Sequence, residues 1–349
     1  QAWANAAAAA AGAGALRRAL AAPARGVATI GDLLDSRAEA TGYRNALVVA
    51  HQRIKWDFND VKEQVDAVAS GLFEAGYGPG SRLALWLAND SEQLVTALAA
   101  AKVGATLVQI DPAVGVDDVV SILGEESCRG LIFGQRFGAE DRVAAVAGAF
   151  PELEGYVWGD NVRSKRLRSL RHLINTGADG ADGVRHFNEF LVYDPLPDPL
   201  PRVRALLGAD DATVVPYGAG AARGAPISQA ELLDTAAAAA GALQLTVEDT
   251  VVATAGLHTR FGFAAGPLAA LHAGSRLVLP AREFKAAATV KAIATHKGTA
   301  LVGEPAQVAA LASAGAGDAD TSTLTKGLVD ASGAGAATGS VFGAKLASL

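Results

Sequence analysis

Short, almost wholly apolar runs alternate along this chain with longer segments in which apolar residues return at helical spacing. Ile30, Leu33 and Leu34 mark one face of a first helix over 29–40, with Thr29 or Asp32 near its start. Residues 46–50 read as a strand and 53–56 as its hairpin partner. Asp57 and Asp60 stand at the head of a helix carrying Phe58, Val61, Val65, Val68 and Leu72, a weaker form of the Ser/Thr–Glu capping box. Strands over 82–87, 105–110 and 130–133 then alternate with helices over 91–103 and 116–124. The pattern resumes after residue 207, with strands at 213–215 and 250–253 and a helix over 231–245. Strands separated by helices of about 10–15 residues predict parallel βαβ units. The expected fold is α/β, two lobes of mainly parallel sheet flanked by helices.

Composition adds boundaries to this picture. The 349 residues suffice for a large core, half of them are hydrophobic and 19% are charged, which describes a globular protein. Residues 1–28 are an Ala-rich arm with Arg17, Arg18 and Arg25 and no acid, as in the tail of an organellar transit region. A first α/β lobe is expected over 29–193, a stiff Pro-rich linker (DPLPDPLP) within 194–206, and a second lobe over 207–349. The net charge of −6 argues against a general nucleic-acid binder, and no run approaches the ~18 bulky apolar residues of a membrane span. The single cysteine, Cys128, leaves no disulfide framework and reads as a packing residue.

The stretch with most chemical content is 213–232. The apolar Thr213-Val214-Val215 leads into a Gly/Ala-rich turn, and Ser228 or Gln229 opens a helix. Strand, glycine loop and helix form an anion site, because backbone N–H groups and a helix N-terminus converge on one spot. Other chemistries have less to stand on. His51, His172, His186, His258, His272 and His296 show no metal-ligand spacing, so no metal is expected. Ser228 and Ser332 lack a nucleophile-elbow setting, and Gly262 and Gly266 form no dinucleotide fingerprint. Arg163, Lys165, Arg166, Arg168 and Arg171 form a basic segment, read either as a solvated surface or as a docking patch for an acidic protein or an anionic lipid.

Several segments resemble the AMP-binding superfamily of acyl-CoA synthetases and adenylate-forming enzymes. The helix opened by Trp56-Asp57-Phe58, Gly78-Pro79-Gly80-Ser81-Arg82-Leu83-Ala84-Leu85 and Lys102-Val103-Gly104-Ala105-Thr106 are similar to its N-terminal motifs. Residues 258–271, 273–280 and 284–296, and Leu328-Val329-Asp330-Ala331-Ser332-Gly333-Ala334, resemble later ones. The resemblance covers roughly 29–349 and is weakest over 135–205.

The family's phosphate loop, Y-T-S-G-T-T-G-x-P-K-G, maps onto Tyr217, Gly218, Gly220, Arg223, Gly224 and Ser228. Gly218-Ala219-Gly220-Ala221-Ala222 holds no hydroxyl, and Arg223 stands for the lysine. Charge-assisted hydrogen bonds to phosphate are worth about 1.5–3 kcal/mol each, so losing several weakens binding by more than about two decades. The family's Y-G-x-T-E and T-G-D segments and its C-terminal lysine do not occur before Leu349. The resulting expectation is a vestigial loop, no cofactor and no enzyme activity. The chain is then a structural subunit of a large organellar complex, mitochondrial after transit-peptide removal and on the matrix side of a membrane-associated assembly. Its Ala-rich start and lack of methionine resemble the peripheral-stalk or dimer-stabilising subunits of the mitochondrial ATP synthase in chlorophycean algae. The alternatives are a divergent acyl-adenylate or acyl-CoA synthetase half-enzyme needing a separate C-terminal chain, and a ligand-sensing module.

Overall fold

The computed structural model describes residues 29–156, 161–331 and 340–349. The expected N-terminal arm and the Ser332-Gly333-Ala334 segment lie outside these residues. The chain folds as two compact units whose segments interleave in sequence. The first takes the described residues up to 31, with 63–88 and 95–229; the second takes 32–62, 89–94 and 230–349. The Pro-rich stretch at 194–206 lies within the first unit, and Leu200–Arg204 in it is helical.

In the first unit the strands Ala212–Gly218, Thr106–Ile110, Arg82–Trp86, Gly130–Phe133, His172–Asn175 and Val184–His186 lie side by side in that order. Every neighbouring pair among them is parallel. The central strands are apolar at successive positions, as strands covered on both faces must be. Trp86, Phe133, Val146 and Phe150 fill one side of this sheet. Arg142 is buried among them with most of its needs met: its guanidinium lies 3.8 Å from the Trp86 ring centroid, its Nη atoms donate to the Trp86 and Pro112 carbonyls, and Glu140 Oε2 stands 3.6 Å from its Nε.

The second unit is built on an eight-stranded sheet. Ala344–Ser348, Lys326–Val329, Ala300–Gly303, Thr250–Ala253, Arg276–Leu279 and Asn45–Val49 run parallel in that order. Ile54–Asp57 adds an antiparallel edge as the predicted hairpin partner. Asp57 and Asp60 each accept the other's backbone N–H, at 2.8 and 3.0 Å, so the acidic capping box forms. Asp249 ties three strand ends together. It accepts from Lys326 Nζ at 2.9 Å, Thr299 Oγ1 at 2.7 Å and the Thr246 N–H at 2.8 Å. The segment read as one family motif over 258–271 is helical with a π turn at Ala264–Leu268. Pro267 lies inside that turn, where its missing N–H removes the ordinary helical hydrogen bond. The α/β reading, with parallel sheets and flanking helices, therefore holds.

Candidate active site

The phosphate-loop region lies wholly within the first unit. Ala212–Gly218 pairs along Thr106–Ile110 in parallel, with Val215 opposite Val108 and Tyr217 opposite Ile110. Beyond Gly218 the chain turns sharply back on itself. Gly220 and Ala221 both adopt left-handed backbone, with φ of +65° and +58°. Arg223 then lies antiparallel to Tyr217, and Ala222 to Gly218. The Gly224 N–H donates to the Pro216 carbonyl at 2.8 Å and closes the turn. Ile227–Ser228 pairs with the far end of the same strand, and the helix Gln229–Ala242 begins next. Gln229 is buried, and its Oε1 accepts the Ile30 N–H at 2.9 Å. The loop is therefore a tight hairpin whose tip opens to solvent, since a Cβ placed on Gly218 or Gly220 meets nothing within 4 Å.

The charged groups at its base include one that the sequence reading missed. Glu126, whose side chain is 4% exposed, accepts from Arg223 Nε at 2.6 Å and from Tyr217 Oη at 2.9 Å. Arg82 meets its other oxygen. Burial, then the neighbouring Glu125 charge, raises the Tyr217 phenol above its ordinary range, so it stays a neutral donor. Thus Tyr217, Gly218, Gly220, Arg223 and Gly224 come together at one turn, with Arg223 and Tyr217 held from below by a carboxylate, whereas Ser228 lies opposite Ala212 at the far end of the strand. Glu126 carried no signal in the sequence, since it follows the 116–125 helix and meets the loop only in three dimensions. Among the described residues, no group of three or more His, Cys, Asp or Glu is arranged to hold a metal ion.

The basic segment splits. Arg163, Lys165, Arg168 and Arg171 line one recess of about 500 Å³ with Asn161 and Ser164. Arg166 turns away, donating to the Ala149 carbonyl at 2.7 Å and lying over the Phe150 ring. Among the described residues no helix is long and apolar enough to cross a membrane.

The sequence profile of the AMP-binding enzyme family matches residues 34–347. The chain belongs to that family. It is 28% identical over 287 residues to the mitochondrial medium-chain acyl-CoA ligase ACSF2 of Rattus norvegicus, covering 79% of this chain and 46% of that protein. To the putative acyl-CoA synthetase YngI of Bacillus subtilis it is 27% identical over 282 residues, covering 79% and 51%. The chain thus spans about half the length of these curated relatives. Two solved structures share the fold. One is the anthranilate CoA ligase AuaEII with anthranoyl-AMP, at TM-score 0.72 and 20% identity, covering 90% of this chain and 56% of that one. The other is the N-terminal domain of FACL13 from Mycobacterium tuberculosis, at TM-score 0.69 and 16% identity, covering 88% and 70%.

These findings correct the functional expectation. A non-catalytic scaffold, a pseudoenzyme and an ATP synthase peripheral-stalk subunit are all set aside, because an enzyme family matches nearly the whole chain and the relatives are named acyl-CoA ligases. The absent hydroxyls are local to 218–222 and do not outweigh a match over 34–347; Arg223 stands beside the turn, opposite Tyr217.

Proposed function

We propose that this chain supplies the nucleotide- and acyl-binding part of a mitochondrial acyl-CoA ligase. The observation that carries the reading is the family match over 34–347, within which 212–229 keeps the strand, glycine turn and helix order. In such a reaction a carboxylate oxygen attacks the α-phosphorus of ATP and pyrophosphate leaves. The thiol sulfur of CoA then attacks the acyl carbon of the adenylate and AMP leaves. The loop's part is electrostatic. The open tip at Gly218–Gly220 lets phosphate oxygens approach the backbone, and Arg223 adds a guanidinium fixed in direction by Glu126. With no side-chain hydroxyl in 218–222, the predicted nucleotide affinity is modest, in the range of about 0.1–1 mM. The name of ACSF2 supports the mitochondrial placement.

The test is calorimetric titration of the intact chain with ATP and AMP, followed by an assay for thioester formation with ATP, CoA and a panel of carboxylic acids. Saturable nucleotide binding that weakens in Arg223→Gln supports the proposal. A folded chain that binds neither nucleotide at 5–10 mM (about −3 kcal/mol or weaker) overturns it.

A further inference from the structure

The second unit has a cleft of its own, about 740 Å³ in volume and lined by residues from the 45–57 hairpin, the 280–285 connection and the Ala286–His296 helix. That volume lies in the range of small-molecule sites. Its charge is unusual for a chain carrying −6 overall. Arg53, Lys55, Arg282, Lys285 and Lys291 all line it, and Glu283 is the one acid among the described lining residues. We infer that this cleft is a second anion site, built to take a soluble organic pyrophosphate of nucleotide size.

Three observations bear on the ligand. The first is how the cations are held. Asp90, whose side chain is 3% exposed, accepts on Oδ1 from Arg282 Nε at 2.9 Å and lies 2.9 Å from His51 Nε2. This fixes the Arg282 guanidinium through one edge and leaves its Nη groups for something else. Lys55, Lys285 and Lys291 have no carboxylate within ion-pair distance among the described residues. Lys55 and Arg276 together help push the His296 imidazole below its ordinary range, after burial itself. A pocket that concentrates unneutralised cations stores repulsion that a bound anion relieves.

The second is the backbone at Arg53. It sits in left-handed conformation, φ 58°, closing the turn between the hairpin strands. Glycine or asparagine is the low-cost choice there, so an arginine at the tip spends conformational energy to bring a guanidinium to the cleft.

The third is the rest of the lining. Val48, Ile54, Pro280 and Ala292 give an aliphatic floor, and no Phe, Tyr or Trp is present. Stacking on a base is therefore not the source of recognition, which argues against single-stranded nucleic acid. A concave site favours a compact ligand over an extended surface. Several converging cations with an apolar floor fit two adjacent phosphates carrying a modest organic group.

The experiment titrates the intact chain with inorganic pyrophosphate and with ADP at two salt concentrations, in wild type, Lys55→Gln/Lys291→Gln and Arg223→Gln. Both lysines are exposed, so the double variant should fold as wild type, which circular dichroism checks. The expected result is a salt-sensitive pyrophosphate affinity that falls about tenfold or more in the double lysine variant and persists in Arg223→Gln. Because the phosphate loop is reported separately by Arg223→Gln, failure here and failure of the ligase reading are distinguishable. Pyrophosphate and ADP binding unchanged by the lysine substitutions overturns the inference. So does binding only to vesicles containing phosphatidic acid, with no soluble phosphate bound, since that identifies a lipid headgroup as the ligand.

Discussion

Arg223 Nε donates to Glu126 Oε1 at 2.6 Å, so the single cation of the phosphate loop is half-neutralised before any ligand arrives. The same oxygen takes the Tyr217 hydroxyl, and Arg82 meets the other one. Glu126→Gln leaves two arginines facing each other across a neutral amide. Both arginines are partly exposed, at 46% and 39%, and can turn toward water, so the expected loss of stability is about 2 kcal/mol and not the full cost of a stranded buried charge. Tyr217→Phe should lose about 1 kcal/mol, one hydrogen bond's worth. Urea unfolding of both variants checks the order.

The same substitution should act oppositely on nucleotide binding. Removing the Glu126 carboxylate raises the positive charge under the hairpin, and ATP should bind about fivefold more tightly, the equivalent of ~1 kcal/mol. Calorimetry on Glu126→Gln decides this. Equal or weaker ATP binding would mean that Arg223 needs Glu126 for its orientation more than it suffers from its charge.

Ala221 is the loop's strained residue. Its φ of +58° is a conformation that costs an alanine about 1 kcal/mol and a glycine almost nothing. Ala221→Gly should therefore leave stability unchanged or raise it by up to about 1 kcal/mol, although glycine normally lowers it through the unfolded chain. Gly220→Ala, at φ +65°, should lose about 1 kcal/mol instead. Thermal unfolding of the pair reads the sign directly.

The architecture was legible where apolar runs had the length of one element. The Ser91–Val103 helix and the Gly130–Phe133 and Thr250–Ala253 strands fall where the sequence placed them, because each is a nearly continuous apolar run, long in the helix and short in the strands. His172–Asn175 and Val184–His186 were not legible. His172, Asn175 and Arg185 break the apolar run, and what makes these strands is pairing that local pattern does not encode: His172 lies opposite Gly130, and Val184 lies opposite Leu173. The loop's location was visible in Tyr217 and Ser228, but its closed hairpin and its tie to Glu126 depend on side chains far apart in sequence. The absent hydroxyls of 218–222 do not exclude an enzyme, since the family match runs from residue 34 to 347 and does not depend on one loop.

Gly71 lies in the helix Phe58–Glu74, and a Cβ there would overlap the backbone carbonyl of Phe190. Neither partner can move cheaply, since one is a helix interior and the other a backbone oxygen. Gly71→Ala, which raises intrinsic helix propensity, should still lose about 2–3 kcal/mol through this overlap. Denaturant midpoints compared with Gly148→Ala, where the added methyl meets nothing within 4 Å, isolate the steric part.

His172 contributes to the acid dependence of the first unit's stability. It is 3% exposed, with Nδ1 3.0 Å from the Tyr77 hydroxyl. Burial, and then the charges of Arg185, Arg129 and Arg171, push its pKa down to about 4. The Tyr77 phenol is itself raised by burial, so it remains the donor and neutral Nδ1 the acceptor. A histidine depressed in the folded state binds its proton more readily when unfolded. Its contribution is therefore fully present above the unfolded value near 6.5 and is lost as pH falls toward about 4. The loss attributable to this residue is about 3 kcal/mol at most, and surrounding carboxylates will add their own acid dependence. His172→Gln keeps a polar side chain that cannot take up the proton. It should be less stable than wild type at pH 7.5, and its stability should fall less steeply between pH 6.5 and 4.5. Urea midpoints across that range measure both slopes, and parallel slopes would show that the imidazole is not what titrates.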